Sequence, residues 1–324
     1  MNEIRSGGFM KYKLDSEVAS ALSALAAQTG AVPVPKRGDW KALRDRGNAM
    51  HALWAAASPS YPNVGMKSFY TESNDGTKIE LRWYEKKGSK PGSVVVYAHG
   101  GGMILSDVDK YDPVVSAYVD VTGVPFLSVN YRLAPESQGR MLAEDTFAGL
   151  TWLLEYASRL GVDMGRVAIM GDSAGGGIAA SVAILARDRK VSLAKQILIY
   201  PMLDDRNIEP NPSLEPFLTW TYDNNFTGWS ALLGKDLGSE NVSPVAAPAR
   251  LKDFSGLAPA YIEVGELDIF RDEAVAYGQQ LALANVPIEL HVHSGAPHGF
   301  ERFAPSSKLA MRAMNDRMRT VVSI

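Results

Sequence analysis

Residues 167–180, VAIMGDSAGGGIAA, constrain the rest of the chain more than any other stretch. Residues 167–170 form a short, partly β-branched apolar run that predicts a buried strand. Residues 178–186 are alanine-rich, with Ile178, Val182 and Leu185 at helical spacing, and predict a helix. Few residues remain between them to reverse the chain. Gly171 and Gly175 remove the Cβ atoms that would collide in so sharp a turn. Between them stands Ser173, and a strand–turn–helix of this G-x-S-x-G kind lifts a serine hydroxyl off the top of a sheet. Other glycine loops do not fit. A Walker phosphate loop needs a lysine, and none lies between Asp172 and Arg187; Gly171, Ser173 and Gly175 do not supply the G-x-G-x-x-G of a dinucleotide loop.

The remaining chain repeats the same alternation. Helices are expected over 15–28 and 39–57, the second with Trp40, Leu43, Gly47, Met50 and Trp54 at steps of three and four. Strands near 66–74 and 78–85 flank the turn SNDGT, a hairpin signal. Then come the strand SVVVYA, a helix over 113–121, the strand PFLSVNY, a helix over 141–160, the strand RVAIMG and a helix over 176–187. KQILIY and PAYIEVG read as strands, followed by a helix over 270–285, the strand PIELHVH and a closing helix over 306–322. Continuous apolar strands alternating with helices predict an α/β fold whose mostly parallel sheet is covered on both faces. Residues 204–245, rich in Asp, Asn, Pro and aromatics, break the rhythm and read as an insertion over one end of the sheet. The helical N-terminal region is its natural partner. The expected organisation is a cap from 1–57 and 204–245 on a core from 58–203 and 246–324.

Composition narrows the functional class. The 324 residues carry a net charge of −3 with no run of like charges, which argues against a nucleic-acid partner. No stretch approaches the ~20 apolar residues of a membrane span, so no membrane insertion is expected. MNEIRSGGFMKYKLDSEVAS has basic residues but no apolar core or cleavage site, so no signal peptide is expected there. Cysteine is absent, which rules out disulfides and a thiolate nucleophile and is compatible with a cytoplasmic location.

A serine nucleophile needs a base, an acid to orient it and donors for an oxyanion. In this strand–turn–helix architecture they follow in the order serine, acid, histidine, which excludes His51 and His99 as the base. His298, in the loop SGAPHGF after the last strand, is the candidate. His291 and His293 share one face of that strand and read as structural, not as a metal pair, since no clear third ligand accompanies them. YIEVGELDIFRDE offers Glu266, Asp268, Asp272 and Glu273 as the acid. Asp268 is chosen because it lies just beyond the strand, whereas Asp272 and Glu273 begin a helix, where acids suit the dipole. YAHGGGM supplies consecutive glycines, and the N–H groups of Gly101 and Gly102 would act with that of Ala174 as the oxyanion hole. His99 reads as the anchor of that loop. Arg132 with Glu136 is expected to form a structural pair, Asp172 to hold the elbow, and Asp204 with Asp205 to make a loop turn at the cap hinge, with no metal and no cofactor.

HGGG at 99–102, YRLAPE at 131–136, GDSAGG at 171–176, YPMLD at 200–204, GELDIFRDE at 265–273 and HGF at 298–300 together resemble the hormone-sensitive-lipase-like (bacterial family IV) esterases of the α/β-hydrolase superfamily, over roughly residues 60–324. The resemblance implies an eight-stranded sheet, a helical cap, and cofactor-free hydrolysis of a small-molecule carboxylic ester. It implies the triad Ser173, Asp268 and His298 with Gly101, Gly102 and Ala174 as the oxyanion hole. Two departures stand out: SQGRMLAEDT replaces the proline-rich link that follows YRLAPE, and Met103 replaces the aromatic or glycine that follows HGGG. Met103, Trp220 and Tyr222 are the expected pocket lining, suited to short- and medium-chain acyl groups. Amide or acetyl-group hydrolysis by the same triad, and a non-catalytic receptor on the same fold, are the alternative readings; the retained histidine and acid argue against the receptor. Met311, Met314 and Met318 serve either the core or the interface of a homodimer.

Overall fold

The computed structural model describes residues 12–29 and 34–324. Eight strands form one sheet: β1 (Val64–Glu72), β2 (Lys78–Lys86), β3 (Val94–Ala98), β4 (Phe126–Asn130), β5 (Val167–Asp172), β6 (Lys195–Ile199), β7 (Ala260–Gly265) and β8 (Ile288–His293). Their order is β1-β2-β4-β3-β5-β6-β7-β8, with β2 antiparallel to both neighbours and every pair from β4 to β8 parallel. The apolar runs earn their place at the centre: β3, β5 and β7 are buried at every position. The hairpin strands β1 and β2 alternate in exposure instead, as an edge with one wet face should.

The helices are α1 (Ser16–Thr29), α2 (Trp40–Ala57), α3 (Val108–Thr122), α4 (Met141–Leu160), α5 (Ala174–Asp188), α6 (Tyr222–Leu233), α7 (Arg271–Leu283), α8 (Phe300–Phe303) and α9 (Lys308–Val322). α3 starts five residues ahead of the expected Pro113 because Asp107 caps it, its side chain accepting from Lys110 N–H. Pro113 then lies inside the helix. The short α8, directly after the HGF motif, was not foreseen. α5 is buried from Ala174 to Ala186, so its small residues let it lie directly on the sheet.

Chain order reverses at β3, which sits between β4 and β5. The loops after β3 and β5 therefore diverge from adjacent strand ends, the place where open α/β sheets leave a crevice. The strand-end loops are close enough that a Cβ on Gly175 would lie 2.1 Å from Ala98 O and 2.5 Å from His99 O.

The segments outside the alternation meet above these loops. Arg37 pairs with Asp223 at 3.2 Å and stacks 4.0 Å over the Phe226 ring; Gly38 N–H donates to Thr227 Oγ1 at 2.9 Å. α2 grips the glycine loop below. Arg44 Nε and Nη2 donate to Ile104 O at 2.5 Å and Ala134 O at 2.6 Å, and Asn48 Oδ1 accepts from Ser106 N–H at 2.8 Å. α1 packs through Val18 into a separate small cluster with Ala296, Phe300 and Leu309.

One pairing differs from expectation. Arg132 does not bind Glu136: it binds the buried Asp145 at 2.7 Å and Asp75 at 2.7 Å, while the exposed Glu136 takes Arg44 at 2.7 Å. Asp204 pairs with Arg206, and the fully buried Asp205 with Arg250 at 2.5 Å, so the hinge is an ionic turn. His291 bonds Glu289 at 2.8 Å, and the buried His293 sits 3.7 Å from Glu263. Met314 and Met318 pack on the core, whereas Met311 is exposed. Among the described residues no helix is long and apolar enough to cross a membrane.

Candidate functional site

Ser173 closes the turn between β5 and α5 with φ 57° and ψ −121°, a left-handed backbone that a side chain rarely adopts. The glycines make the turn possible: a Cβ on Gly171 would meet Gly175 O at 2.1 Å. Ser173 N–H donates to Ile199 O at 2.8 Å, and its carbonyl accepts from Gly177 N–H at 3.1 Å and Met202 N–H at 3.0 Å. The hydroxyl is thereby aimed by backbone bonds on both sides.

The structure brings Ser173, His298 and Asp268 together from three separate loops. His298 Nε2 lies 3.0 Å from Ser173 Oγ, and His298 Nδ1 lies 2.7 Å from Asp268 Oδ2. A carboxylate only accepts, so Nδ1 carries the proton of a neutral ring and Nε2 is free to accept from the serine hydroxyl. Asp268 is fully buried, and its Oδ1 accepts from Phe270 N–H at 3.0 Å. Asp272 lies on the surface, paired with Arg271 at 2.7 Å. Phe270 and Tyr200 meet the His298 ring edge-on, at 5.1 and 4.6 Å between centroids, and fix its plane.

The glycine loop after β3 folds tightly beside this relay. Gly101 has φ 129° and its Cβ would stand 2.2 Å from Leu105 O; Gly102 has φ 56° and its Cβ would strike the Trp220 ring at 2.5 Å. Both positions demand glycine, for conformation and for space. Gly101 O accepts from Ile104 and Leu105 N–H, turning the loop back on itself. Ala174, fully buried, opens α5, where the first N–H groups have no helical acceptor. His99 anchors the loop as expected: it is fully buried, its Nδ1 lies 2.8 Å from Gly100 O, it stacks on Tyr131, and burial lowers its pKa.

Asp172 holds the elbow through three donors. Tyr97 Oη donates to Oδ1 at 2.6 Å, Tyr111 Oη to Oδ2 at 2.9 Å and Arg302 Nη2 to Oδ2 at 2.9 Å. Burial first, and the charge of Asp172 with it, raise Tyr97 well above the usual phenol range, so its hydroxyl remains a donor.

A cavity of about 110 Å³ opens beside Ser173. Gly101, Thr219, Trp220 and His298 line it with Ser173, together with His51, Trp54, Tyr111, Arg302 and Phe303. Of the expected lining residues only Trp220 is there. Met103 turns into the core, with Cε 3.8 Å from the Cβ position of Gly177, and is 2 % exposed; Tyr222 is buried in the first turn of α6. Both expectations are corrected: neither side chain lines the cavity, and the backbone at Met103 is left-handed (φ 67°). Arg302, Tyr111 and Phe303 were not expected in the cavity, and His51 lines it although it is excluded as the base. The aromatic step from His51 to Trp54 on one helix face was the available signal. Among the described residues no group of three or more His, Asp or Glu side chains is placed to hold a metal.

A family model described as the alpha/beta hydrolase fold matches residues 95–302. Esterase LipI of Mycobacterium tuberculosis is 36 % identical over 229 residues, 68 % of this chain and 70 % of that one. Ethyl acetate hydrolase of Pseudomonas putida is 30 % identical over 245 residues, 71 % of this chain and 74 % of that one. Among solved structures, a bacterial heroin esterase superposes with a TM-score of 0.86 at 30 % identity, covering 96 % of this chain and 98 % of the other. A hyperthermophilic esterase from the archaeon Pyrobaculum calidifontis gives 0.81 at 29 %, covering 96 % and 98 %.

Proposed function

The chain belongs to the hormone-sensitive-lipase-like α/β hydrolases, and from that premise we propose that it is a serine carboxylesterase acting through Ser173, His298 and Asp268. The observation that carries this reading is the unbroken relay from Ser173 Oγ to His298 Nε2 at 3.0 Å and from His298 Nδ1 to Asp268 Oδ2 at 2.7 Å, opening on a cavity.

Ser173 Oγ attacks the ester carbonyl while His298 Nε2 takes its proton. Asp268 accepts from Nδ1–H and stabilises the imidazolium that forms. The N–H groups of Gly101, Gly102 and Ala174 receive the tetrahedral oxyanion, with no reorganisation needed at the moment of reaction. His298 returns its proton to the departing alcohol, leaving an acyl-enzyme. Water, deprotonated by the same histidine, releases the acid and restores the serine.

The cavity holds about 110 Å³ and is lined by Trp54, Trp220 and Phe303, which favours soluble esters of short or medium chain. Each added CH₂ gains about 0.8 kcal/mol only while it fits, so efficiency should rise and then fall with an optimum at roughly four to eight acyl carbons. A rate profile over p-nitrophenyl esters of graded length tests this. Preference for long-chain triglyceride emulsions over butyrate would overturn it.

A further inference from the structure

The cavity beside Ser173 has a polar pole as well as an apolar one. Arg302 lines it from α8 with its side chain 17 % exposed. Nη2 is spent on Asp172, and the guanidinium carbon lies 4.7 Å from the Tyr111 ring centre and 5.9 Å from that of Trp54. Nη1 and Nε have no hydrogen-bond acceptor among the described residues. His51 enters the same region from α2, stacked on Trp54 at 5.3 Å, with Nδ1 3.1 Å from Ser106 Oγ. Its Nε2 has no partner among the described residues. Burial, then the charge of Arg302, push its pKa down to about 3, so the ring is neutral near pH 7. In the tautomer whose Nδ1 accepts from Ser106 Oγ–H, Nε2–H is a second donor.

An alkyl limb in this space would strip water from both donors and give nothing back. Leaving buried donors unpaired costs about 1–3 kcal/mol each. A substrate with an acceptor there avoids that cost. The acceptor is not a carboxylate: Asp172 already meets the charge of Arg302 at 2.9 Å and would repel a second anion. We propose, resting on the serine-esterase reading, that Arg302 and His51 are specificity-determining residues for esters whose acyl or alcohol limb carries a neutral oxygen acceptor, such as a ketone or ether oxygen.

The test uses isosteric pairs on the full-length protein. Ethyl 4-oxopentanoate is compared with ethyl 4-methylpentanoate for the acyl limb, and 2-ethoxyethyl acetate with pentyl acetate for the alcohol limb. Each kcat/KM is divided by the alkaline hydrolysis rate of the same ester, which removes intrinsic reactivity. The wild type is expected to favour the oxygenated member of one pair by about tenfold or more, and Arg302→Met to cut that ratio by about tenfold. Arg302→Met leaves Asp172 short of a donor beside the elbow, so His51→Phe is the second variant and should lower the same ratio. A wild-type ratio below about tenfold on both limbs overturns the proposal, as does a ratio that survives both variants. Monoethyl glutarate outrunning ethyl 4-oxopentanoate overturns the neutral-acceptor class. Turnover without the preference defeats this proposal alone; no turnover of any ester defeats the esterase reading and this proposal with it.

Discussion

The two sides of the cavity are held by different means. On the elbow side, backbone lies against backbone: a Cβ at Gly171 would meet Gly175 O at 2.1 Å, and one at Gly175 would meet Ala98 O at the same 2.1 Å. On the α2 side, helix and loop meet through side chains. Arg44 and Asn48 reach the loop by hydrogen bonds, and the atoms nearest a Cβ on Gly47 are the Leu105 side-chain end, from 2.4 Å. Side chains can shift where carbonyls fixed in a strand and a helix cannot. The proposed nucleophile therefore sits on the unyielding half, and the α2 wall that carries His51 sits on the half that can be altered without dismantling the fold.

That division can be broken by experiment. Its largest expected consequence is kinetic: Ser173→Ala should lower kcat by about 10³-fold or more with the fold intact, and Asp268→Asn should cost less than His298→Ala. Wild-type turnover of a p-nitrophenyl ester by the purified serine variant would remove the elbow from the reaction.

The next effect is on stability. Gly175→Ala should cost at least the upper end of the roughly 1–3 kcal/mol typical of overpacking, because no carbonyl can retreat. Gly47→Ala should cost far less, since Leu105 can turn and alanine gains about 1 kcal/mol of helix propensity over glycine. Urea unfolding measures both, and equal losses would end the distinction between the two halves.

Acid sharpens the same contrast more gently. Glu301, in α8, is pulled upward by burial, but the charge and hydrogen bond of Arg317, with Arg302 and Tyr200, outweigh that and set it at about 2. A carboxyl lowered on folding adds stability that is complete above its ordinary value of 4.5 and is lost as pH falls from there toward about 2. Glu301→Gln should flatten that acid limb in unfolding curves recorded between those limits. An unchanged limb would place the acid sensitivity elsewhere. The smallest expected effect is at Asp272→Asn, which should stay within about 0.5 kcal/mol and leave turnover nearly intact, since the side chain is 76 % exposed. If it proved more damaging than Asp268→Asn, the acid would be misassigned.

The sheet was legible because buried parallel strands write themselves as unbroken apolar runs, and the elbow because its glycines and serine are adjacent in sequence. Asp268 and His298 could be chosen from their loops, since strand ends in this architecture converge. Contacts between distant segments were not legible. Arg132 was matched to its neighbour Glu136, yet its buried partner is Asp145, and Glu136 is claimed by Arg44, 92 residues away. Met103 and Tyr222 failed for a related reason: a place after a motif or in the insertion does not say which way a side chain points. Arg302 and His51 come together only when α2 lies across the sheet, and no local pattern announces that crossing.

The torsion at Ser173 carries one more consequence. At φ 57° a side chain costs about 1–3 kcal/mol, whereas glycine tolerates the conformation. Replacing Ser173 with glycine relieves that cost, less about 0.4–1 kcal/mol for the freer unfolded chain. The inert protein should then resist heat better than the working one. Heat resistance and turnover are opposed at a single backbone angle, so selection for thermal tolerance alone, with no demand for activity, would tend to discard the nucleophile.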